Sequence, residues 1–249
     1  MRRLALIVLL MSAGSFAQDA IPAGTILPVQ LSSSLKSGKL RPGQTVSARL
    51  MQDVPLPANR NLPAGAKVLG HVVSSESPNP GEIQVSLRFD TLLTGKRRIP
   101  IVTNLRALAT MMDVADAQEP ENGPDRGTSE YSWTTDQIGG EVNYHGARVD
   151  RGSSLVGASV ADGVLVRPAS RPGTPCRGIL YDNDAPQALW VFSSDACGLY
   201  DLPDLTLVHA GRTEPVGQIT LRAAKGKLNV RSGSGMLLRV NPSPGSASN

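Results

Sequence analysis

The chain has little aromatic, histidine or cysteine content: 4% Phe, Trp and Tyr, three histidines and two cysteines in 249 residues. The histidines, His71, His145 and His209, lie far apart, and none belongs to an H-x-x-x-H or H-x-H pair. The cysteines are not spaced as C-x-x-C, and no histidine adjoins either of them. These absences remove the usual sequence signatures of a zinc or redox centre, so no metal and no cofactor is expected. A strong charge bias is missing too. The net charge is +4, of which Arg2 and Arg3 supply two, too little to point to nucleic acid. After the first residues no apolar run is long enough to span a bilayer as a helix.

The N-terminus has a three-part build: Arg2 and Arg3, an apolar run from Leu4 to Met11, and small residues ending at Ser15-Phe16-Ala17. The run is far shorter than the ~20 residues a bilayer core requires, which favours a signal peptide over an uncleaved anchor. Cleavage after Ala17 is expected, so residues 1–17 are read as the signal and the mature chain as periplasmic or extracellular. No cysteine follows the apolar run to carry a lipid. In an oxidising compartment Cys176 and Cys197 are expected to pair, closing a loop of about 20 residues for ~3 kcal/mol of chain-entropy stabilisation.

What is abundant is punctuation. Glycine (25) and proline (19) break the chain into short apolar stretches, a pattern of many strands rather than long helices. Val68 to Val73, Ile83 to Phe89 and Ile99 to Val102 read as strands. In the second, Ile83, Val85, Leu87 and Phe89 share one half-buried face. Pro100 assigns its strand to an edge or a strand start. Pro22-Ala23-Gly24 and Pro63-Ala64-Gly65 each precede an apolar run, with proline expected at the first turn corner and glycine at a later one. Ser232 to Gly235 launches Met236 to Val240 in a similar way.

The expected fold is all-β: a barrel or sandwich formed by the N- and C-terminal segments, residues 18–110 and 216–240. Residues 111–136, rich in Asp, Glu, Pro and Gly, read as a flexible linker, residues 137–215 as an inserted β-rich region with the disulfide, and residues 241–249 as a frayed tail.

Pro22-Ala23-Gly24-Thr25 with its strand, Val46 to Leu50, Asp53 to Pro57, and Leu62 to Val72 together resemble the periplasmic β-barrel domain of TrbI-like scaffold proteins of conjugation and type IV secretion. In that family an insertion follows such a segment and a Gly-rich turn plus strand closes the barrel, the part that Gly217 to Val240 would play. The resemblance spans residues 20–105 and 215–240. The same barrel pattern is similar to that of uncharacterised exported bacterial proteins, for which it implies no activity.

Chemistry is thinly signalled. Ser33-Ser34-Leu35-Lys36 fits S-x-x-K of penicillin-binding enzymes, but no S-D-N motif follows, and Thr94-Gly95-Lys96 reverses K-T-G. No G-x-S-x-G elbow is present to serve a histidine. Asp182-Asn183-Asp184 gathers oxygens, yet Gln187 stands where a calcium loop needs glycine, so an Asx-rich turn is the simpler reading. Lys96-Arg97-Arg98 beside Ile99-Pro100 suits an edge strand protected from aggregation. Trp133 and Trp190, with Asp182 and Asp184, form a possible binding surface for sugar rings, against a core role for Trp190 in Ala188 to Phe192.

The sequence therefore points to an exported, non-catalytic envelope protein that binds another envelope protein or a cell-wall polymer. The alternatives are a secreted hydrolase built from Asp182, Asp184, Asp195 and Asp201, and a carbohydrate-binding module. No catalytic residue is assigned.

Overall fold

In the computed structural model of the chain, which describes residues 20–118, 132–145, 148–160, 163–166, 187–189, 191–193 and 196–242, strand starts are set by turns of one design. The Thr25 N–H donates to the Pro22 carbonyl (3.2 Å) across Gly24, whose φ is 89°, and the Ala66 N–H donates to Pro63 (3.1 Å) across Gly65, whose φ is 78°. A positive φ at the third turn residue is the demand that glycine meets. Proline opens each turn rather than occupying its first corner, one position earlier than its expected role. A further copy, Pro215-Val216-Gly217-Gln218, launches a strand with the same hydrogen bond (3.1 Å).

These turns separate β1 (Ile26–Leu31), β2 (Leu35–Lys36), β3 (Thr45–Leu50), β4 (Val54–Leu56), β5 (Arg60–Leu62), β6 (Lys67–Glu76), β7 (Ile83–Thr94), β8 (Arg97–Pro100) and β9 (Thr103–Ala109). The chain continues through α1 (Met111–Gln118), β10 (Ser132–Gln137), β11 (Gly140–His145), β12 (Arg148–Arg151), β13 (Ser154–Val160), β14 (Gly163–Val166) and β15 (Gln187–Ala188). It returns as β16 (Gly198–Tyr200), β17 (Leu205–His209), β18 (Ile219–Ala223), β19 (Asn229–Val230) and β20 (Gly235–Val240).

The main sheet runs β16-β9-β20-β1-β3-β6-β7-β18-β17, with β8 on β7. Its curvature nearly closes a barrel. The Ile101 N–H donates to the Asp90 carbonyl (2.9 Å), and Thr103 Oγ1 donates to the Phe89 carbonyl (3.0 Å), so β8 runs from its pairing with β7 into β9. β9 in turn pairs with β20, and β20 with β1. The C-terminal strand thus lies between two strands of the N-terminal segment. β10 to β15 form a separate six-stranded sheet.

The apolar residues of the main sheet explain its two faces. Leu27, Val29, Val46, Val68, Val85, Leu87, Phe89, Leu105, Leu238 and Ile219 pack together inside the barrel. On β7 the alternating set of Val85, Leu87 and Phe89 is buried, with Ile83 partly buried against the same cluster. β9 and β20 are buried along their whole length, and such strands read as continuous apolar runs because both faces are covered. Their outer face meets a second cluster, in which Ile26, Ala107, Ala109 and Leu237 pack with Val114 of α1 and with Ile138, Val149, Leu189, Val191 and Phe192 of the inserted region. Gly235 marks the closest approach. A Cβ there would stand 2.7 Å from Val114 Cγ2 and 3.2 Å from Phe192 Cζ.

Three expected boundaries are corrected. The linker begins as a helix, because Thr110 and Asp113 form a reciprocal cap: the Asp113 N–H donates to Thr110 Oγ1 (3.2 Å) and the Thr110 N–H to Asp113 Oδ2 (2.8 Å). Buried Val114 then fixes that helix to the barrel. The same linker was expected to extend to residue 136, but β10 already starts at Ser132. The insertion does not last to residue 215 either. β16 pairs parallel with β9 and β17 pairs with β18, so the chain rejoins the main sheet near Gly198. Asn241 is also tied down, its N–H donating to the Val102 carbonyl (2.7 Å). Residues 1–17, 119–131 and 243–249 lie outside the described residues.

At a bulge between Leu69 and Gly70, β6 and β7 approach so closely that a Cβ on Gly70 would lie 1.9 Å from the Arg88 carbonyl oxygen. The obstacle is backbone and cannot rotate away. Gly70→Ala is therefore expected to cost at least ~3 kcal/mol, lowering the melting temperature by roughly 6–12 °C. Thermal unfolding followed by circular dichroism checks this, and a shift of a degree or less would contradict the packing described.

Candidate functional site

Two of the polar residues buried in the main sheet, Asn104 and Arg239, lie where the second apolar cluster ends. Cross-strand pairing aligns Ile26 with Arg239 and Arg239 with Asn104, a row on the outer face of β1, β20 and β9. The next row, Pro28, Leu237 and Ala107, contributes Leu237 and Ala107 to the second cluster beneath the inserted region. Arg239 and Asn104 instead line a cavity of about 770 Å³. Its other walls are Val208 to Ala210, Arg212, Thr213 and Val216 on one side, and Ala23, Gly24, Val240, Asn241 and Pro242 on the other. Backbone hydrogen bonds hold the rim: Gly24 N–H to the Val240 carbonyl (2.8 Å), and Leu105 N–H to the Ala210 carbonyl (2.8 Å).

Asn104 is 1% exposed and Arg239 6%. The Oδ1 of Asn104 has no hydrogen-bond partner. Burying an acceptor in that state costs on the order of 1–3 kcal/mol, and the fold tolerates it at the cavity wall. Among the described residues no acidic side chain lines this cavity, and its two arginines, Arg239 and Arg212, both make contacts within the chain. The remaining ionisable wall residue, His209, is held by its turn. Its Nδ1 lies 2.6 Å from the Gln218 carbonyl oxygen and 3.0 Å from the Gly211 nitrogen. The Gln218 carbonyl can only accept and the Gly211 N–H can only donate, so the tautomer decides which of the two Nδ1 engages. Nε2 lies 3.1 Å from Thr213 Oγ1.

A second group of polar residues surrounds a smaller cavity of about 410 Å³ lined by Asp113, Asp116, Gln137, Gly139, Tyr200 and Asp201, among others. Asp201 is exposed and takes a φ of 48°. A hydrogen bond to Asp113, followed by the repulsion of that carboxylate, holds the Asp201 carboxyl above its ordinary range. Asp113 also caps α1, so the pair joins the helix to the end of β16.

The residues singled out by sequence fall in several places. Cys176, Asp182, Asp184, Trp190 and Asp195 lie outside the described residues. Trp133 sits on β10 opposite Tyr144, and His145 on β11 opposite Ser132 and Arg148. Cys197 precedes β16, its N–H donating to Tyr200 Oη (2.9 Å), and no free thiol occurs among the described residues. His71 Nδ1 stands 2.8 Å from Asp90 Oδ2 on the outside of the barrel. Ser33 and Ser34 do not form a nucleophile pair with Lys36: their hydroxyls accept from the N–H groups of Ser47 (3.2 Å) and Ser232 (2.9 Å). Arg97 and Arg98 lie on β8, which pairs with β7.

Asn104 and Arg239 were not anticipated. The available signal is the polar residues inside fully buried strands: Thr103, Asn104 and Arg106 in Thr103–Ala109, and Arg239 in Gly235–Val240. Reading it as a site requires knowing that the insertion covers only part of their shared face.

The Asp113–Asp201 pair predicts a pH effect of definite sign. A raised carboxyl pKa in the folded state means that protonation of Asp201 supports the fold, fully so below the ordinary carboxylate range. That support is lost as pH rises through the elevated value. Asp201→Asn removes the repulsion, so its melting temperature should exceed wild type at pH 7, with the difference narrowing in acid. Asparagine's ease at positive φ adds a pH-independent gain. A difference that stayed constant between pH 3 and pH 7 would show that the carboxylate pair contributes nothing.

Compared with protein-family models, curated proteins and solved structures, the chain matches none of them.

Proposed function

We propose that this is an exported, non-catalytic protein of a bacterial cell envelope, acting as a binding or assembly module for another envelope protein or a cell-wall polymer. The observation that carries this reading is the cavity beside Asn104 and Arg239. It has a volume typical of small-ligand sites, and its wall offers a guanidinium pair, an amide and aliphatic side chains. Arginine remains charged and asparagine does not titrate near neutral pH, so these groups suit recognition better than proton transfer. His209, which would be the acid–base candidate, has both ring nitrogens occupied by its turn.

Export is supported by the basic, apolar and small-residue segments of residues 1–17. The C-terminal strand between two N-terminal ones is the arrangement that the resemblance to TrbI-like scaffolds implies, and an assembly role is proposed on that resemblance. The Cys176–Cys197 bridge belongs to the same proposal, since an exported chain with two cysteines meets oxidising conditions.

A hydrolase is the second reading, favoured by the neighbouring Asp113 and Asp201 carboxyls with one of them raised. Against it, Asp113 is engaged by the Thr110 N–H and hydroxyl, and Asp201 stands in solvent. A polysaccharide-degrading activity that Asp201→Asn abolished would establish it.

The proposal is tested on protein from its native cells. Mass spectrometry should find the mature chain beginning at Gln18, and non-reducing peptide mapping should recover the Cys176 and Cys197 peptides joined. Retention of Met1 would contradict export, and two free thiols would contradict the bridge.

A further inference from the structure

We infer that the end of the barrel carrying the β7–β8 turn docks reversibly, through charge, on an anionic phospholipid surface. The inference goes beyond the cavity described above and rests on the export reading only for bringing such a surface within reach.

Strand register builds the surface. Ala48, Val68, Leu92 and Ile99 align across β3, β6, β7 and β8, and all four are buried in the barrel core. Side chains alternate between faces along a strand, so the neighbouring row of Arg49, Lys67, Leu93 and Arg98 points outward. Its three cations are exposed. They stand at the finish of β3, the start of β6 and the start of β8, which lie at one rim because these strands pair antiparallel. Lys96, in the turn between β7 and β8, is exposed at the same rim.

Among the described residues none of these four cations has an acidic partner. Arg97, beside them, has contacts within the chain. The closest acids along these strands and their connections are engaged. Asp53 accepts from Asn61 Nδ2 (3.0 Å) and the Ala64 N–H (2.7 Å). Asp90 accepts from Thr91 Oγ1 (2.8 Å), and its Oδ2 is 2.8 Å from His71 Nδ1. Glu76 lies at the far end of the β6–β7 pairing, ~30 Å from Lys67 at the rise of an extended strand. That is several Debye lengths at physiological salt.

The protection of an edge strand does not account for this row. It suits Arg98 on β8, but Arg49 and Lys67 stand on strands paired on both sides, where no edge needs guarding. They are also directly opposite one another, and like charges in that position weaken a sheet. A repulsive pair kept on central strands breaks a local rule of stability, and such breaches concentrate at functional sites.

What the rim omits identifies the anion. Neither the row nor the turn holds an aromatic side chain, so bases and sugar rings find no stacking platform. The cations follow the outer rim of a barrel, and neither cavity described above includes them. A plane of headgroup phosphates meets such a rim, whereas a single polyanionic chain is held along a groove. The exposed large apolar side chains among the described residues, Met111, Met112, Leu155 and Val208, are on other elements. With nothing apolar to insert, attachment is electrostatic and reversible.

The experiment is co-sedimentation of the mature protein with vesicles of phosphatidylglycerol and phosphatidylethanolamine, with phosphatidylcholine vesicles as the neutral reference. Binding to the anionic vesicles is expected at ~0.02 M salt and should fall severalfold by ~0.15 M, with none to phosphatidylcholine. Each basic residue near such a surface is worth roughly fivefold in affinity, so Arg49→Gln combined with Lys67→Gln should weaken binding at least tenfold. The two residues repel each other, so this double variant should melt no lower than wild type. Lys96→Gln, outside the ladder, should bind severalfold more weakly without touching a strand. Lys36→Gln combined with Lys39→Gln removes the same charge between the finish of β1 and the start of β3, at the opposite end of the barrel, and should bind as wild type does. No binding to anionic vesicles, undiminished binding by the Arg49 and Lys67 double variant, or an equal loss in both double variants would overturn the inference. The start of the mature chain is a separate measurement: a protein that begins at Gln18 yet ignores anionic vesicles keeps the envelope reading and loses this surface.

Discussion

The structure depends on the backbone hydrogen bonding of β20. A strand in the middle of a sheet must satisfy donors and acceptors on both edges, and β20 does so with β1 on one side and β9 on the other. Neither neighbour can be replaced by solvent, since β20 and β9 are buried throughout. The N-terminal segment therefore lacks a central strand until the last residues of the chain arrive. This constraint accommodates the long excursion between β9 and β16 because loop-closure entropy rises only logarithmically, by about 0.6 kcal/mol for each doubling of length.

The same placement generates the second apolar cluster and the cavity. With β20 in position, Leu237 and Gly235 join Ile26, Ala107 and Ala109 on a face that water would otherwise contact. The inserted region and α1 cover that face through Phe192 and Val114. The absence of a side chain at Gly235 permits their close approach. Coverage ends at the row of Arg239 and Asn104, where the turn after β17 forms the opposite wall. Buried Arg239 and Asn104 at the edge of the covered face are thus products of partial coverage, and both line the cavity.

Much of the barrel is legible in the sequence. The Pro-Ala-Gly turns, the alternation along β7 and the late apolar run at Met236 to Val240 are local signals, each with a direct physical cause in φ or burial. Helix α1 was obscured because its acidic residues continue the composition of the following stretch, and its Thr110–Asp113 cap is a short signal. β16 and β17 were hidden because Gly198–Tyr200 and Leu205–His209 are brief, and their partners β9 and β18 stand on opposite sides of them in sequence. The site was least legible. Nothing local distinguishes Asn104 or Arg239 from a solvent-facing polar residue until the covering elements are positioned. The tryptophan and acidic residues stood out by type, but type alone does not establish a shared location.

The most direct measurement is the folding of residues 20–110 expressed alone, compared with the mature chain by thermal melting and amide hydrogen exchange. If β20 is indispensable to the barrel, the fragment should show no cooperative transition, and the amides of β1 and β9 should exchange without protection. A cooperative melt with protected β1 and β9 amides would contradict the account, since the N-terminal segment would then form its sheet without the strand placed at its centre.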